Sequence, residues 1–541
     1  MTSSESRALE ASRKDEHRAI TGRAGIVALG TLVSRIFGLG RDLVLAALFT
    51  RPETDAFMIA FTIPNTLRQL LAEGAVQTAV LPVLTKTRET EGDAAARRFF
   101  AAMRGLSLAV LAVVSVLGVV FARPLVELFA TGFHDEPGQF ERTVTLTRWL
   151  FPYIVFMGTA ALGAAALNAA KRFVVTAFAP GLLNVACIAS ALALTPWLRA
   201  TGNEPILAMA WGALAGGVLQ MVAQWPSLSK IGYFDRPRFD LAHSQVRVVL
   251  KRMGPVLLGL GIYLVDVVIA RRFLSEFGVG AQTYFGFALR LCDFPQGIFV
   301  MAIQTAALPS LAALAARGDD DALESTYAFG VRLALFVALA ATALYVVLAE
   351  PIVALLFQRG QFGATATHET ARALVAQGLG IWTVALVRQL VAVYFAVGDT
   401  RTPVLVSLLD LIAFIVLAVV LGKSLGHVGI GLAVTGSSFV QMSLLFLWLR
   451  RHLKSRRFGE IARSAAKTLA AAVAGAALGV LASRFALRIA AGSFAEHAAP
   501  GIAGALVFLV AFFVAARLLG SDELAIVLSA ASRRRTKAQA R

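Results

Sequence analysis

The sequence predicts an all-α polytopic membrane protein. It should have about fourteen transmembrane helices: two parallel six-helix repeats around a central cavity, then two further C-terminal helices. Three observations predict this. The 541-residue chain is 57% hydrophobic and 16% charged, whereas a soluble chain carries roughly 25% charge. Its apolar residues gather in runs of about 20, the length that crosses a bilayer. The first half of the chain also recurs in the second at a nearly constant spacing.

The apolar runs fall at 24–50, 55–84, 99–122, 144–170, 174–197, 205–226, 252–274, 281–313, 328–348, 369–397, 402–421, 428–449, 464–487 and 499–519. An even number of spans puts both termini on one side. Lys and Arg concentrate in the loops that a cytoplasmic N-terminus would place inside, which is the positive-inside pattern. The densest are 227–252, with Lys230, Arg236, Arg238, Arg247, Lys251 and Arg252, and 450–467. Met1 to Arg23 is polar and lacks the layout of a cleavable signal, so it reads as a cytoplasmic tail. The expected organisation is a tail at 1–23, an N-terminal lobe at 24–226 and a cytoplasmic loop at 227–251. A C-terminal lobe at 252–449, two appended helices at 450–519 and a basic cytoplasmic tail at 520–541 follow. Segment 240–250 is expected to form a short interfacial helix.

The repeat is visible in single residues. Asp42-x-Val44-x-Ala46-x-x-Phe49 of span 1 returns as Asp266-x-Val268-x-Ala270-x-x-Phe273 of span 7. Gln77-Thr-Ala-Val-Leu-Pro82 returns 227 residues later as Gln304-Thr-Ala-Ala-Leu-Pro309, and Pro124 returns as Pro351 at the same spacing. Six spans separate the copies, so both have one orientation, and the repeat axis runs along the membrane normal. Such a pair of lobes suits alternating access about a central site.

Charge inside the spans then locates the site. Ser34-Arg35-Ile36-Phe37-Gly38-Leu39-Gly40-Arg41-Asp42 lies within an apolar stretch from Gly25 to Phe49. A charge at such depth is kept where it faces a protein interior or a water-filled cavity. The glycines at 38 and 40 should let the helix bend and let a neighbour come close. Span 2 adds Asp55, Arg68 and Glu73; span 8 adds Arg290 and Asp293, three apart on one face. Pro295 and Gly297 should bend span 8 just beyond them. Spans 1, 2, 7 and 8 are therefore expected to line the cavity. Arginine forks match phosphate oxygens in a bidentate way, so Arg35, Arg41, Arg68 and Arg290 fit an anionic substrate such as a phosphate or pyrophosphate. The competing reading is that they pair with Asp42, Glu73 or Asp293 and lock helices together. Asp266 and Asp410 stand alone in apolar helices and could bind Na⁺ or a proton, or stay protonated as hydrogen-bond donors. Thr435 is a candidate oxygen ligand. Arg332 and Arg388 are expected to snorkel or to pair between helices.

Other functions find little support. Nucleic-acid binding lacks a basic–aromatic module. An ATP-driven pump lacks a GxxxxGK[ST] loop, and catalysis lacks a GxSxG elbow or an HExxH pair. Two cysteines, Cys187 and Cys292, provide no disulfide framework.

Several stretches resemble one family. SRIFGLGRD in span 1, TDAFMIAFTIPNTLRQLLAEGA in span 2, LNAAKRFVVTAFAPGLLN ending at Asn184, RLCDFPQGIF in span 8 and LFQRGQF after span 9 are similar to the MurJ (MviN) lipid II flippases. That family lies within the multidrug/oligosaccharidyl-lipid/polysaccharide exporter superfamily. The resemblance runs from about residue 24 to about residue 450. It implies a V-shaped fourteen-helix fold and a bacterial inner-membrane protein that moves undecaprenyl-pyrophosphate-linked disaccharide-pentapeptide from the inner to the outer leaflet. It implies that Arg35, Arg41, Arg68 and Arg290 bind substrate, with Ser34, Asp42, Asp55, Glu73, Asp293 and Asn184 beside them. Spans 13 and 14 would form a groove for the lipid tail. The resemblance also points to Na⁺ between spans 7, 11 and 12, where Asp266, Asp410 and Thr435 lie. Three positions depart from the pattern: Asp293 where Glu also occurs, Leu289 where some members are acidic, and Thr62 where some carry lysine. The expected partners are lipid II, membrane lipids and the cell-wall synthesis machinery. No cofactor is expected beyond a coupling ion, Na⁺ or H⁺, or the membrane potential. One chain supplies both lobes, so a monomer is the expected functional unit. The alternatives are an exporter of another polyprenyl-linked glycan or of drugs, and a membrane glycolipid transferase. A cationic drug would need an acidic cavity, and a transferase would need larger loops than these.

Overall fold

The structure, a computed structural model, describes residues 3–71, 77–454, 457–490 and 492–526. The described residues form helices and connecting turns, with no strand among them. The chain divides into two compact units, Met1–Val268 and Ile269–Arg541. The division falls inside the helix of span 7, a little beyond the expected lobe boundary.

The first unit begins with α1 (Ser3–Leu48), α2 (Arg51–Arg68), α3 (Gln77–Glu91), α4 (Asp93–Val120) and α5 (Ala122–Phe129). It continues with α6 (Gln139–Leu150), α7 (Tyr153–Ala169), α8 (Val174–Ala200), α9 (Leu207–Val222), α10 (Trp225–Lys230) and most of α11 (Ser244–Ser275). The second unit holds α12 (Ala281–Pro295), a π-helical turn (Gln296–Val300), α13 (Met301–Arg317), α14 (Asp320–Val347) and α15 (Ala349–Phe357). It then holds α16 (Ala364–Gly378), α17 (Ile381–Ala396), α18 (Arg401–Leu425), α19 (His427–Trp448), α20 (Phe458–Ile489) and α21 (Ser493–Leu518). The sequence repeat is a structural one. Helices α4 and α14 both have 28 residues and begin 227 positions apart. Each is followed by a short helix, α5 or α15, that carries the repeated Pro124 or Pro351.

Among the described residues, eleven helices or runs of consecutive helices are long and apolar enough to cross a membrane. Each matches a run read from the sequence. The three runs outside this set are spans 1, 2 and 7, which hold Arg35, Arg41, Asp42, Asp55, Arg68 and Asp266. Apolarity alone therefore establishes a polytopic membrane protein and leaves the count of fourteen open. Helices α20 and α21 present Leu481, Phe485 and Val510 outward, all more than half exposed, as lipid-facing helices do.

Local chemistry fixes the corner between α1 and α2. The Arg51 guanidinium donates to the carbonyls of Ala46 (3.0 Å) and Phe49 (2.7 Å), and Arg199 donates to that of Leu48. These cations satisfy carbonyls that the end of α1 leaves unpaired. The Glu53 carboxylate accepts from the Thr50 N–H (2.7 Å) and hydroxyl (2.8 Å), starting α2.

Helix α1 runs uninterrupted through Gly38 and Gly40, so Arg35 and Arg41 stand on one continuous helix. A methyl group at Gly38 would meet Asn184 at an ordinary 3.6 Å. The close approach is at Gly30, where a Cβ would stand 2.4 Å from the Ala177 carbonyl oxygen in α8. Backbone cannot rotate away as a side chain can. Gly30→Ala should force α1 off α8 and cost about 1–3 kcal/mol. Thermal unfolding of the purified chain checks this, with Gly38→Ala expected to melt within about a degree of the parent.

The loop between α10 and α11 is packed down. The Arg238 N–H donates to the Ala101 carbonyl in α4 at 3.0 Å, and Tyr233 lies against Phe100 with ring centroids 5.2 Å apart. The expected interfacial helix at 240–250 is not a separate element. Its helical part starts at Ser244 and belongs to α11. Val246 and Val249 are buried with Phe99, Phe100, Met103 and Leu167. The face carrying these two valines meets a protein core.

The turn before α18 is held by Asp399, whose carboxylate accepts from the Arg401 N–H, the Thr402 N–H and the Thr402 hydroxyl and contacts His452 Nε2 at 2.9 Å. Partial burial alone would raise this carboxyl. The bonds from Thr402 and His452 outweigh it and hold the pKa at about 2, against roughly 3.9 when unfolded. The resulting stability is present above about pH 4 and is lost as pH falls toward 2. Wild-type melting temperature should therefore fall more steeply over that window than that of Asp399→Asn.

Candidate functional site

Each unit contributes its own set of charged residues. In the first, α1 and α8 run together from Gly30 to the Asn184 level. The Asn184 side-chain amide donates to the Ser34 carbonyl at 3.2 Å, fixing the turn of α1 that carries Arg35. Ser34 and Arg35 are half-buried, and Asn184 is buried. About two turns further on, Arg41 and Asp42 are both buried, 8% and 2% exposed. The Arg41 Nε and a terminal nitrogen both donate to Asp42 Oδ1, at 3.1 and 2.7 Å. Neighbouring residues on a helix do not ordinarily face each other, so Arg41 folds back along α1 to reach its partner. The other side of the guanidinium lies 5.8 Å from the centroid of Phe61 in α2. Phe61 is itself stacked on Phe57 and tilted against Tyr153. Arg41 is thus placed on an aromatic shelf, where a cation–π contact strengthens as water is excluded.

Helix α2 buries Asp55 in its first turns and Arg68 at its end. Arg68 donates through Nε and a terminal nitrogen to Asn65 Oδ1 at 3.1 and 3.0 Å. The competing reading of the sequence offered Glu73 as a partner. Glu73 lies outside the described residues, and the observed bonds run to a neutral amide three residues back. Beyond Arg68, residues 69–71 take π-helical form. Asp266, in α11, is half-buried.

In the second unit, Arg290 and Asp293 sit on α12 and are both exposed. They precede Pro295 and the π turn Gln296–Val300. The two π segments, at 69–71 and 296–300, occupy equivalent places in the repeat, 227 residues apart. Single π turns inside helices gather at functional sites. The bend expected from Pro295 and Gly297 is therefore realised as a change of helix type.

The residues proposed for an ion behave differently from one another. Asp410 is half-buried in α18, with its Oδ1 buried and without a hydrogen-bond partner. The Ser437 hydroxyl of α19 is within bonding reach of its carboxylate. The Thr435 hydroxyl donates to the Ala376 carbonyl of α16 at 2.7 Å, so it faces α16. Thr435 and Ser437 are two residues apart and point to different sides of α19. Among the described residues no three His, Cys, Asp or Glu side chains converge as a metal site.

Sequence reasoning missed three partners. Phe61 carries no charge, and its contact with Arg41 depends on the relative rotation of two helices. Tyr345 donates to the Leu291 carbonyl at 3.1 Å, beside Arg290; a proline that strips a carbonyl of its donor was the available signal. Glu523, which pairs with Arg332 at 3.5 Å, lies beyond the last apolar run and read as tail. Interhelical pairing was one of the two expectations for Arg332.

Comparison with known proteins is consistent across sequence and fold. A family model described as lipid II flippase MurJ matches residues 44–499. A lipid II flippase MurJ from Burkholderia cenocepacia is 35% identical over 426 residues, covering 78% of this chain and 82% of that protein. A probable lipid II flippase MurJ from Bdellovibrio bacteriovorus is 30% identical over 514 residues, covering 94% and 97%. Among solved structures, an inward-closed lipid II flippase MurJ aligns with a TM-score of 0.73 at 20% identity, covering 91% of this chain and 99% of that one. An inward-facing multidrug transporter of the MATE family aligns at 0.64 and 16% identity, covering 80% and 99%.

Proposed function

The chain belongs to the MurJ family of lipid II flippases, and from that premise we propose that it carries lipid II from the inner to the outer leaflet of the bacterial cytoplasmic membrane. The observation that carries the reading is the placement of arginine in membrane-embedded helices of both repeats. Arg35, Arg41 and Arg68 lie in the first and Arg290 in the second. A bulky amphiphile can cross only if its anionic head is passed through a cationic, water-accessible path while its tail stays in lipid. Guanidinium groups supply charge and bidentate geometry for the two phosphates. In the proposed cycle the pyrophosphate is taken from the cytoplasmic side by Arg35, Arg41 and Arg290. The lobes then exchange access, with Asp55 near the external end. Asp266 or Asp410 would admit a cation that resets the cycle, or the membrane potential would act on the arginines directly. Both termini would be cytoplasmic.

The fold shared with a MATE transporter concerns architecture alone, and four embedded arginines disfavour a cationic drug. Transport without chemical change is preferred to transfer, and the two differ in one readout: whether the lipid is modified or only moved. The test is a leaflet assay for lipid II in cells depleted of their native flippase and expressing this chain. Wild type should restore outer-leaflet lipid II without altering it. Absence of flipping by well-inserted wild type would move the substrate to another polyprenyl-linked glycan.

A further inference from the structure

Pro295 has no N–H, so the carbonyl four residues earlier, that of Leu291, loses the helix bond it would otherwise accept. Within a bilayer such a group must be satisfied by a neighbouring helix. The Tyr345 hydroxyl, from α14, donates to the Leu291 oxygen at 3.1 Å. Two more side chains grip the backbone of the same span. Gln377 of α16 donates to the Phe285 carbonyl at 3.2 Å, and Gln389 of α17 donates to the Val300 carbonyl at 3.4 Å, at the end of the π turn. All are in the second unit. Leu291 lies between the two exposed charged residues of the span, one position from Arg290 and two from Asp293.

We propose that Tyr345 is a positioning residue for Arg290 and Asp293: its hydroxyl takes the carbonyl that Pro295 leaves open and thereby fixes the break in span 8 beside which these side chains project. The proposal rests on the reading that Arg290 meets the anionic head of the lipid. A helix interrupted by proline and followed by a π turn has more than one way to rebond its carbonyls. A fixed donor from another helix selects one of them. Without it the segment before the proline can shift register, and a displacement of about 1 Å at a binding group can cost on the order of 10²-fold in rate.

The experiment is a double-mutant cycle in the purified full-length chain, using Tyr345→Phe, Pro295→Ala and the pair. Phenylalanine keeps the ring and removes the donor. Alanine at 295 restores an N–H that can bond Leu291. Two readouts are needed: thermal melting, and lipid II flipping in proteoliposomes as a function of lipid II concentration. Tyr345→Phe should lower the melting temperature and raise the half-saturating lipid II concentration about tenfold. In the Pro295→Ala background the same substitution should lower the melting temperature by less than half as much. Equal losses in both backgrounds would overturn the assignment of the hydroxyl to the open carbonyl. A lowered melting temperature with unchanged half-saturation would overturn the positioning role. The melting cycle needs no activity, so it stands even where Pro295→Ala does not flip. If Arg290→Ala flips normally, the cationic-site reading fails while the Tyr345–Pro295 coupling remains measurable.

Discussion

Replacing Arg290 with alanine stops lipid II flipping, by about 10²-fold or more, and leaves the protein folded in the membrane. This is the expected result if the arginines serve the substrate. Arg290 is exposed on α12, as is Asp293, and exposed ion pairs contribute only about 0–1 kcal/mol to stability. Truncation there should move the melting temperature little. A bidentate guanidinium–phosphate contact contributes several kcal/mol through charge-assisted bonds of about 1.5–3 kcal/mol each. Each 1.4 kcal/mol lost is about tenfold. Loss of flipping with retained stability would therefore identify a substrate contact. Normal flipping in Arg290→Ala, with comparable protein in the membrane, would remove the cationic-path argument.

Arg41→Ala should abolish flipping too, but stability must be measured beside it. Arg41 and Asp42 are both buried and bonded to each other, so removing the arginine strands part of a buried carboxylate's charge. Breaking such a pair from one side can cost about 3–5 kcal/mol. Arg41→Lys separates the two effects. Lysine retains the charge for Asp42 and loses the fork that grips phosphate. Flipping that falls in Arg41→Lys at nearly unchanged melting temperature would place Arg41 on the substrate.

The repeat and the polytopic class were legible because both are written in spacing and polarity. Asp42 and Asp266, or Pro124 and Pro351, need no coordinates to be matched. Helix breaks were less legible. The run at 144–170 is two helices, α6 and α7, and that at 369–397 is α16 and α17, because averaged hydropathy does not register where a helix changes direction. The break at Phe151-Pro152 had a proline to announce it, but that at Leu379-Gly380 had only a glycine. Partners within a helix are close in sequence, and Arg68–Asn65 could have been found by testing neighbours three residues apart. Partners across helices could not. Arg41 on Phe61, Tyr345 on Leu291 and Thr435 on Ala376 depend on rotations that a single sequence does not constrain. The residue types of the candidate site were therefore readable, while the groups that orient them were not.

Glu523→Ala should strongly destabilise the chain. The carboxylate is 3% exposed. It accepts from the Ser464 hydroxyl at 2.9 Å and the Ser521 hydroxyl at 2.9 Å, and lies 3.5 Å from the Nε of Arg332. These groups come from α20, from the segment after α21 and from α14. One residue thus ties both appended helices to the helix on which they pack, where Phe336 of α14 meets Phe512 of α21 at 5.1 Å. Truncation to alanine would leave two buried hydroxyls without their acceptor and a guanidinium without its counter-charge. Breaking a buried pair from one side costs about 3–5 kcal/mol. Arg332 keeps about a fifth of its side chain exposed, which places the expected loss near 3 kcal/mol. Melting of the purified chain measures it. The diagnostic comparison is the double variant Arg332→Met with Glu523→Gln. Removing both charges should cost less than Glu523→Ala alone, because the penalty lies in the abandoned partner rather than in the bond. A double variant at least as unstable as the sum of its single changes would mean that Arg332 and Glu523 act independently, and that α20 and α21 are held to α14 by apolar packing alone.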